Sequence, residues 1–215
     1  MPYKQFDFGV FESLPIVGIL RNVKSESLSG ILPHFVEAGF SSIEITMNTP
    51  DAGKMIADTI TKYGNTLNVG AGTVCSLSDL ENALNAGANF IVTPVVVKDV
   101  INECVRLGIP VFPGAFSPTE IYEAWSLGAT MVKVFPASSL GPDFIKSIKA
   151  PFPKIKIMPT GGIETKDLSV YRKSGADAFG IGSPLFPNSL IEKAEWSKLS
   201  DHMKEFKKAW EASNR

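Results

Sequence analysis

Pro118-Thr119-Glu120-Ile121-Tyr122-Glu123-Ala124-Trp125-Ser126-Leu127-Gly128-Ala129-Thr130-Met131-Val132-Lys133-Val134-Phe135 contains one full structural period of this chain. Pro118-Thr119-Glu120 ahead of Ile121 is a helix start, with proline in the first turn and a carboxylate beside the positive end of the helix dipole. Gly128 closes that helix, because glycine adopts the left-handed turn that feeds a following strand without steric cost. Residues 130–135 are short, apolar and rich in valine, which predicts a buried strand. One charge, Lys133, interrupts it.

The same period recurs along the chain. Apolar runs lie at 15–20, 42–46, 67–71, 90–93, 110–113, 130–135, 155–159 and 178–181. Amphipathic stretches separate them, one opened by Ser78-Asp79 before Leu80, and several close on glycine: Gly39, Gly87, Gly108, Gly128 and Gly175. Strands apolar enough for burial on both faces, each followed by a helix, predict a closed parallel α/β barrel, the (β/α)8 or TIM barrel. A doubly wound open sheet would need a glycine-rich nucleotide turn after the first strand, and none occurs. The expectation is one barrel domain over residues 1–215, with short loops.

Residues 3–12 are expected to form a short extra helix closing the barrel bottom. At the other end Trp196, Leu199, Met203, Phe206 and Trp210 step by three and four, the spacing of a core-facing helical stripe.

With 21 Lys+Arg against 22 Asp+Glu, the net charge of -1 supplies no broad field for nucleic acid or anionic membrane. A small-molecule partner with local charge contacts is expected. Cys75 and Cys104 have the spacing of neither a redox dithiol nor a zinc site, and read as reduced, partly buried thiols. Residues 1–10 mix Lys4 and Asp7 with aromatics and resemble neither a signal peptide nor a spanning helix, so a cytoplasmic protein is expected.

Barrel sites lie at the C-terminal ends of strands, so polar residues in or after the apolar runs come first. Lys133 and Glu44, the latter in Ser42-Ile43-Glu44-Ile45-Thr46, are flanked by core residues. Burying an ion costs several kcal/mol, so each needs a partner or a substrate. They fall on the sixth and second strands, which face one another across a barrel just wide enough for side chains to fill. A structural ion pair is the competing reading, and the pair alone does not decide.

The last two strands carry more. Met158-Pro159-Thr160-Gly161-Gly162 ends the seventh and Gly180-Ile181-Gly182-Ser183 the eighth. Loops there are this fold's recurrent phosphate site, with glycine exposing backbone N–H groups to the anion, although glycine also serves as turn punctuation. Arg21 ends the first strand, placed to fork onto a carboxylate. Gly70-Ala71-Gly72-Thr73 offers N–H groups and a hydroxyl to the same carboxylate, or is a tight turn. His34 and His202 lie in helical stretches and read as packing or surface residues, leaving Glu44 for acid/base work.

These motifs resemble those of bacterial 2-keto-3-deoxy-6-phosphogluconate aldolases, with the related 4-hydroxy-2-oxoglutarate and 2-keto-3-deoxy-6-phosphogalactonate aldolases. The resemblance runs over residues 15–186. It covers Ile19-Leu20-Arg21, Glu44-Ile45-Thr46, Gly70-Ala71-Gly72-Thr73, Thr93-Pro94, Phe112-Pro113-Gly114, Lys133-Val134-Phe135-Pro136, Pro159-Thr160-Gly161-Gly162 and Gly182-Ser183. It implies a cofactor-independent, metal-free class I aldolase, a homotrimer, acting on a phosphorylated keto-deoxy sugar acid. It places the Schiff-base lysine on Lys133 and the catalytic carboxylate on Glu44. Thr73 matches a pyruvate-contacting threonine, and Pro94 and Phe135 match the lining of the pyruvate pocket. Gly161, Gly162 and Ser183 fall on the phosphate site, and Thr160 on a position tied to stereochemical preference at the fourth carbon.

One departure is visible. Some members carry the carboxylate-binding arginine four residues after the glutamate, where this chain has Asn48; others carry it at the end of the first strand, like Arg21 here. Thr160 suggests the gluconate-derived substrate, whereas Met47-Asn48-Thr49-Pro50 looks like the galactonate-type segment. Three rival readings are a pyridoxal-phosphate protein, a non-catalytic sugar-phosphate-binding barrel in which Lys133 and Glu44 merely pair, and a metal-dependent epimerase. The last lacks a histidine at a strand end.

Overall fold

The computed structural model describes residues 5–213. The strands are β1 (Ile16–Leu20), β2 (Ser42–Thr46), β3 (Asn68–Gly72), β4 (Ile91–Val92), β5 (Val111–Phe112), β6 (Gly114–Ala115), β7 (Val132–Val134), β8 (Ile157–Pro159) and β9 (Phe179–Ile181). The helices are α1 (Phe8–Ser13), α2 (Leu28–Glu37), α3 (Ala52–Tyr63), α4 (Leu77–Asn85), α5 (Lys98–Leu107), α6 (Pro118–Ser126), α7 (Ala137–Lys149), α8 (Leu168–Lys173), α9 (Asn188–Glu192) and α10 (Trp196–Ala212).

All strand pairs are parallel, in two arcs of order β5-β4-β3-β2-β1-β9 and β6-β7-β8. A parallel bridge from Thr160 to Gly180 joins the arcs at one seam. The other seam is the chain itself, running from β5 through Pro113 into β6. The expected α/β barrel is therefore the fold, with its fifth stave broken. Proline donates no hydrogen bond, so the ladder cannot run through residue 113. Its carbonyl instead accepts the Lys133 N–H at 2.8 Å, and the stave changes partner from β4 to β7.

Side chains follow the period of two. Val17, Ile19, Phe90, Val92, Phe112, Met131, Met158 and Ala178 form one buried cluster with Phe6 and Phe11. Their strand neighbours, among them Ile16, Leu20, Ile43, Ile45, Val132, Val134 and Ile157, belong to the larger cluster shared with the helices. The barrel interior and the barrel–helix layer are thus separate cores, as in a filled rather than hollow barrel. Phe6 lies 5.5 Å from Phe90 and Phe11 6.4 Å from Phe112, ring centre to ring centre, so the N-terminal segment plugs the bottom. Each such phenylalanine contributes roughly 1.5–3 kcal/mol of burial. The helix expected over 3–12 forms as Phe8–Ser13, capped by the Asp7 carboxylate on the Val10 N–H, and residues 3 and 4 lie outside the described residues.

Gly39, Gly87, Gly108, Gly128 and Gly175 all take positive φ after their helices, as their positions required. α6 begins in a capping box, with the Ser117 hydroxyl and Glu120 carboxylate exchanging bonds with each other's backbone. For α4 the cap is Ser76, which accepts the Asp79 N–H, two residues ahead of the expected start. The stripe on α10 is buried from Leu199 to Trp210, and α10 packs against α2, where Trp196 covers Gly30. Among the described residues no helix is long and apolar enough to cross a membrane.

Candidate active site

The inward phase of each strand decides which side chains meet. Glu44 sits between outward Ile43 and Ile45, and Lys133 between outward Val132 and Val134, so both project into the barrel. Glu44 is 0% exposed and Lys133 2%. The two groups sense one another, yet neither Glu44 oxygen has a hydrogen-bond partner among the described residues. The expected competing reading, a closed structural ion pair, is not the arrangement found.

Burial lifts the Glu44 carboxyl above the ordinary carboxylate range, opposed by attraction from Lys133 and Arg21. Burial likewise pushes the Lys133 amine below its usual value, with Glu44 opposing and Arg21 reinforcing. Both shifts favour the neutral forms, an amine with a free lone pair beside a carboxyl able to carry a proton. The Lys133 Nζ lies 5.1 Å from the centre of the Phe135 ring, the next inward residue on the same stave.

Above this pair opens a cleft of about 330 Å³ lined by Ile19, Arg21, Phe135, Thr160, Gly161, Gly162, Gly182 and Ser183. Six of the ten residues singled out from the sequence thus meet on one wall-to-wall surface. Gly161 and Gly162 both take positive φ (96° and 72°), a backbone that glycine enters without steric cost and that leaves no side chain over the cleft. Ser183 is exposed across from them. Thr160 is 4% exposed, and its hydroxyl makes only a long 3.3 Å bond to the Met158 carbonyl.

Thr73 and Pro94 do not line this cleft. Thr73 directly follows β3 with φ 57°, a backbone region that a β-branched residue rarely enters. Pro94 follows β4, and its carbonyl lies where a side chain on Gly114 would have to go; Gly114 is the register partner of Lys133. Pro94 thus packs against the stave beside Lys133, and Thr73 follows Gly72, which the Glu44 carboxyl abuts. Asn48 is exposed and outside the cleft.

The cleft also holds residues that sequence reasoning missed: Asn22, Val23, Pro184, Phe186 and Asn188. Asn22 had a signal in its place beside Arg21. His202 packs edge-on against Phe206 and places a ring nitrogen 2.6 Å from the Pro184 carbonyl, so it braces the loop after β9. His34 stays on α2 beside Glu37 at 3.6 Å. Cys75 and Cys104 are both free thiols, as expected, but neither is partly buried: Cys75 is exposed and Cys104 fully buried, its thiol pushed up to about 12 by burial.

The comparisons with known proteins agree on the family and divide on the substrate. The model of the KDPG and KHG aldolases matches residues 9–202. The 2-dehydro-3-deoxy-6-phosphogalactonate aldolase of Escherichia coli is 33% identical over 174 residues, covering 80% of this chain and 85% of the relative. The 2-dehydro-3-deoxy-phosphogluconate aldolase of Treponema pallidum is 31% identical over 195 residues, 89% and 92% of the two chains. A solved structure described as native KDPGal superposes with a TM-score of 0.87 at 29% identity, covering 98% of each chain. This chain belongs to the KDPG and KHG aldolase family.

Proposed function

We propose that this chain cleaves a phosphorylated 2-keto-3-deoxy sugar acid to pyruvate and glyceraldehyde 3-phosphate through a Schiff base on Lys133. The observation that carries the proposal is the buried pair itself. An amine and a carboxyl, each shifted towards neutrality and each without the other as a direct partner, lie one layer beneath an anion-suited cleft.

Neutral Lys133 adds to the second carbon, and the proton of the Glu44 carboxyl passes to the departing hydroxyl, so that water leaves, a protonated imine remains and Glu44 becomes a carboxylate. Glu44 takes the proton from the hydroxyl on the fourth carbon while the bond between carbons three and four breaks, its electrons passing into the imine to give an enamine. Glyceraldehyde 3-phosphate departs. The enamine takes a proton at the third carbon from Glu44, and hydrolysis frees pyruvate and the amine. Arg21 and Thr73 hold the carboxylate, Pro94 and Phe135 shape the pyruvate pocket, and Gly161, Gly162 and Ser183 bind the phosphate. That distant anion contributes binding energy that keeps the reacting hydroxyl aligned.

For the fourth carbon, Thr160 in the cleft wall supports the gluconate-derived substrate, with action on 4-hydroxy-2-oxoglutarate as a side activity. The galactonate-derived epimer is the second reading, favoured by the E. coli relative and by the Met47-Asn48-Thr49-Pro50 segment. The family resemblance extends the proposal to a homotrimer of the 23.2 kDa chain, which light scattering measures directly.

The test is reduction with borohydride in the presence of pyruvate, followed by peptide mapping, alongside pyruvate release from each epimer. One pyruvyl group on Lys133 is expected. Trapping on another lysine, or undiminished trapping in Lys133→Met, rejects the assignment.

A further inference from the structure

Arg21 is exposed and makes no ion pair among the described residues, yet the backbone on both sides of it is fixed. The Asn22 N–H donates to the Thr49 hydroxyl at 3.0 Å. The Thr49 and Thr46 hydroxyl oxygens are 3.0 Å apart. The Thr46 hydroxyl faces the Leu20 carbonyl at a long 3.4 Å, the weakest link of the three.

Proton accounting gives this chain a single direction. A backbone N–H can only donate and a carbonyl only accept, and each hydroxyl has one proton. Asn22 N–H therefore donates to Thr49, Thr49 to Thr46, and Thr46 to Leu20. The relay starts one residue after Arg21 and ends one residue before it, closing a ring around the arginine.

Both hydroxyls are buried, Thr46 at 0% and Thr49 at 4% exposed, and hydroxyls in such places are costly unless bonded. Their hydroxyls are spent on the residues flanking Arg21 and on each other. Asn22 takes φ 54°, a left-handed conformation that asparagine tolerates better than other side chains, and so turns the chain directly after Arg21. The turn Thr49 N–H to Thr46 carbonyl, at 2.9 Å, sets the two threonines side by side.

We propose that Thr46 and Thr49 are positioning residues that aim the Arg21 guanidinium at the substrate carboxylate by pinning the backbone on either side of it. This rests on the reading of Arg21 as the carboxylate clamp. Asn48, between them in sequence, points outward and takes no part in the relay. The loop after β2 thus acts in this chain through its buried threonines and not through its exposed residue.

The experiment measures steady-state kinetics with the phosphorylated keto-deoxy acid, using Thr49→Val, Thr49→Ser, Arg21→Lys and the double variant Arg21→Lys/Thr49→Val. Thr49→Val should raise KM roughly three- to tenfold, the worth of one hydrogen bond, with a smaller change in kcat. Thr49→Ser, which restores the hydroxyl, should return KM close to the parent value. In the Arg21→Lys background the valine should add little, because the geometry it spoils is already lost.

An unchanged KM in Thr49→Val, or full additivity with Arg21→Lys, overturns the inference while leaving the aldolase reading intact. An Arg21→Lys variant with parental KM removes the clamp, and the inference with it. Should Thr49→Val fail to fold, Thr49→Ala removes the same hydroxyl without new bulk and reads the same quantity.

Discussion

The Glu44 carboxyl occupies the space that a side chain on Gly72 would need. Gly72 ends β3 in register with Thr46, two residues beyond Glu44 on the neighbouring stave. The glutamate therefore leans across its neighbour, and its orientation depends on a hydrogen at residue 72. Gly72→Ala should displace the carboxyl, and a misplacement on the order of 1 Å costs about a hundredfold in rate. Lys133 keeps its place on β7, so pyruvate should still be trapped on it, although the displaced charge alters the pH dependence of trapping. Parental turnover in Gly72→Ala would show that the Glu44 orientation is not required for cleavage.

Much of this was legible locally. A helix that ends on glycine needs only its own residues to do so, and Gly39 through Gly175 all close helices where their positions indicated. Lys133 and Glu44 were conspicuous because a charge inside an apolar run breaks a one-dimensional pattern. Pro113 was harder, since a proline in a strand is visible but the partner that each half-stave then takes is a property of the closed barrel. The relay around Arg21 was hidden because Thr46 and Thr49 are unremarkable in sequence and find the first strand only after β1 and β2 pair.

The pH dependence of imine formation carries two opposite signs. Attack requires the neutral amine, so the rate rises with pH through the Lys133 titration, which burial has moved below the ordinary 10.5. Negative Glu44 raises that titration and positive Arg21 lowers it. Glu44→Gln should therefore move the limb to lower pH, and Arg21→Ala to higher pH, both measured as trapping rate at saturating pyruvate. Movement of both variants in one direction would contradict this arrangement of charges. A limb that stays in place in Glu44→Gln would mean Glu44 is already neutral when Lys133 titrates.

Arg21 and Asn48 make competing claims on the carboxylate, and only Arg21 lines the cleft. Arg21→Lys should raise KM by roughly tenfold or more, because an ammonium cannot reproduce a two-pronged contact. Asn48→Ala, altering an exposed residue away from the cleft, should change KM by less than about twofold, as is usual for surface positions. The reverse order of effects would move the carboxylate site to the loop after β2.

Thr160 has a hydroxyl with one long bond to its own strand and a place in the cleft wall between Phe135 and the Gly161-Gly162 turn. Its backbone pairs with Gly180, where a side chain would collide with the threonine, so the residue is held at the seam of the barrel. The two candidate substrates differ only in the hydroxyl on the fourth carbon, the group from which Glu44 must take a proton. A site that bonds this hydroxyl in one orientation leaves a buried polar group unpaired for the other, a penalty of about 1–3 kcal/mol, or roughly five- to 150-fold. The parent chain should therefore favour the gluconate-derived epimer. Thr160→Val, nearly the same shape without the hydroxyl, should narrow or invert the ratio of kcat/KM while leaving pyruvate trapping intact, since pyruvate has no fourth carbon. An unchanged ratio would take Thr160 out of the discrimination. A parent chain that prefers the galactonate-derived epimer would transfer the substrate assignment to the second reading and leave the Schiff-base chemistry as it stands.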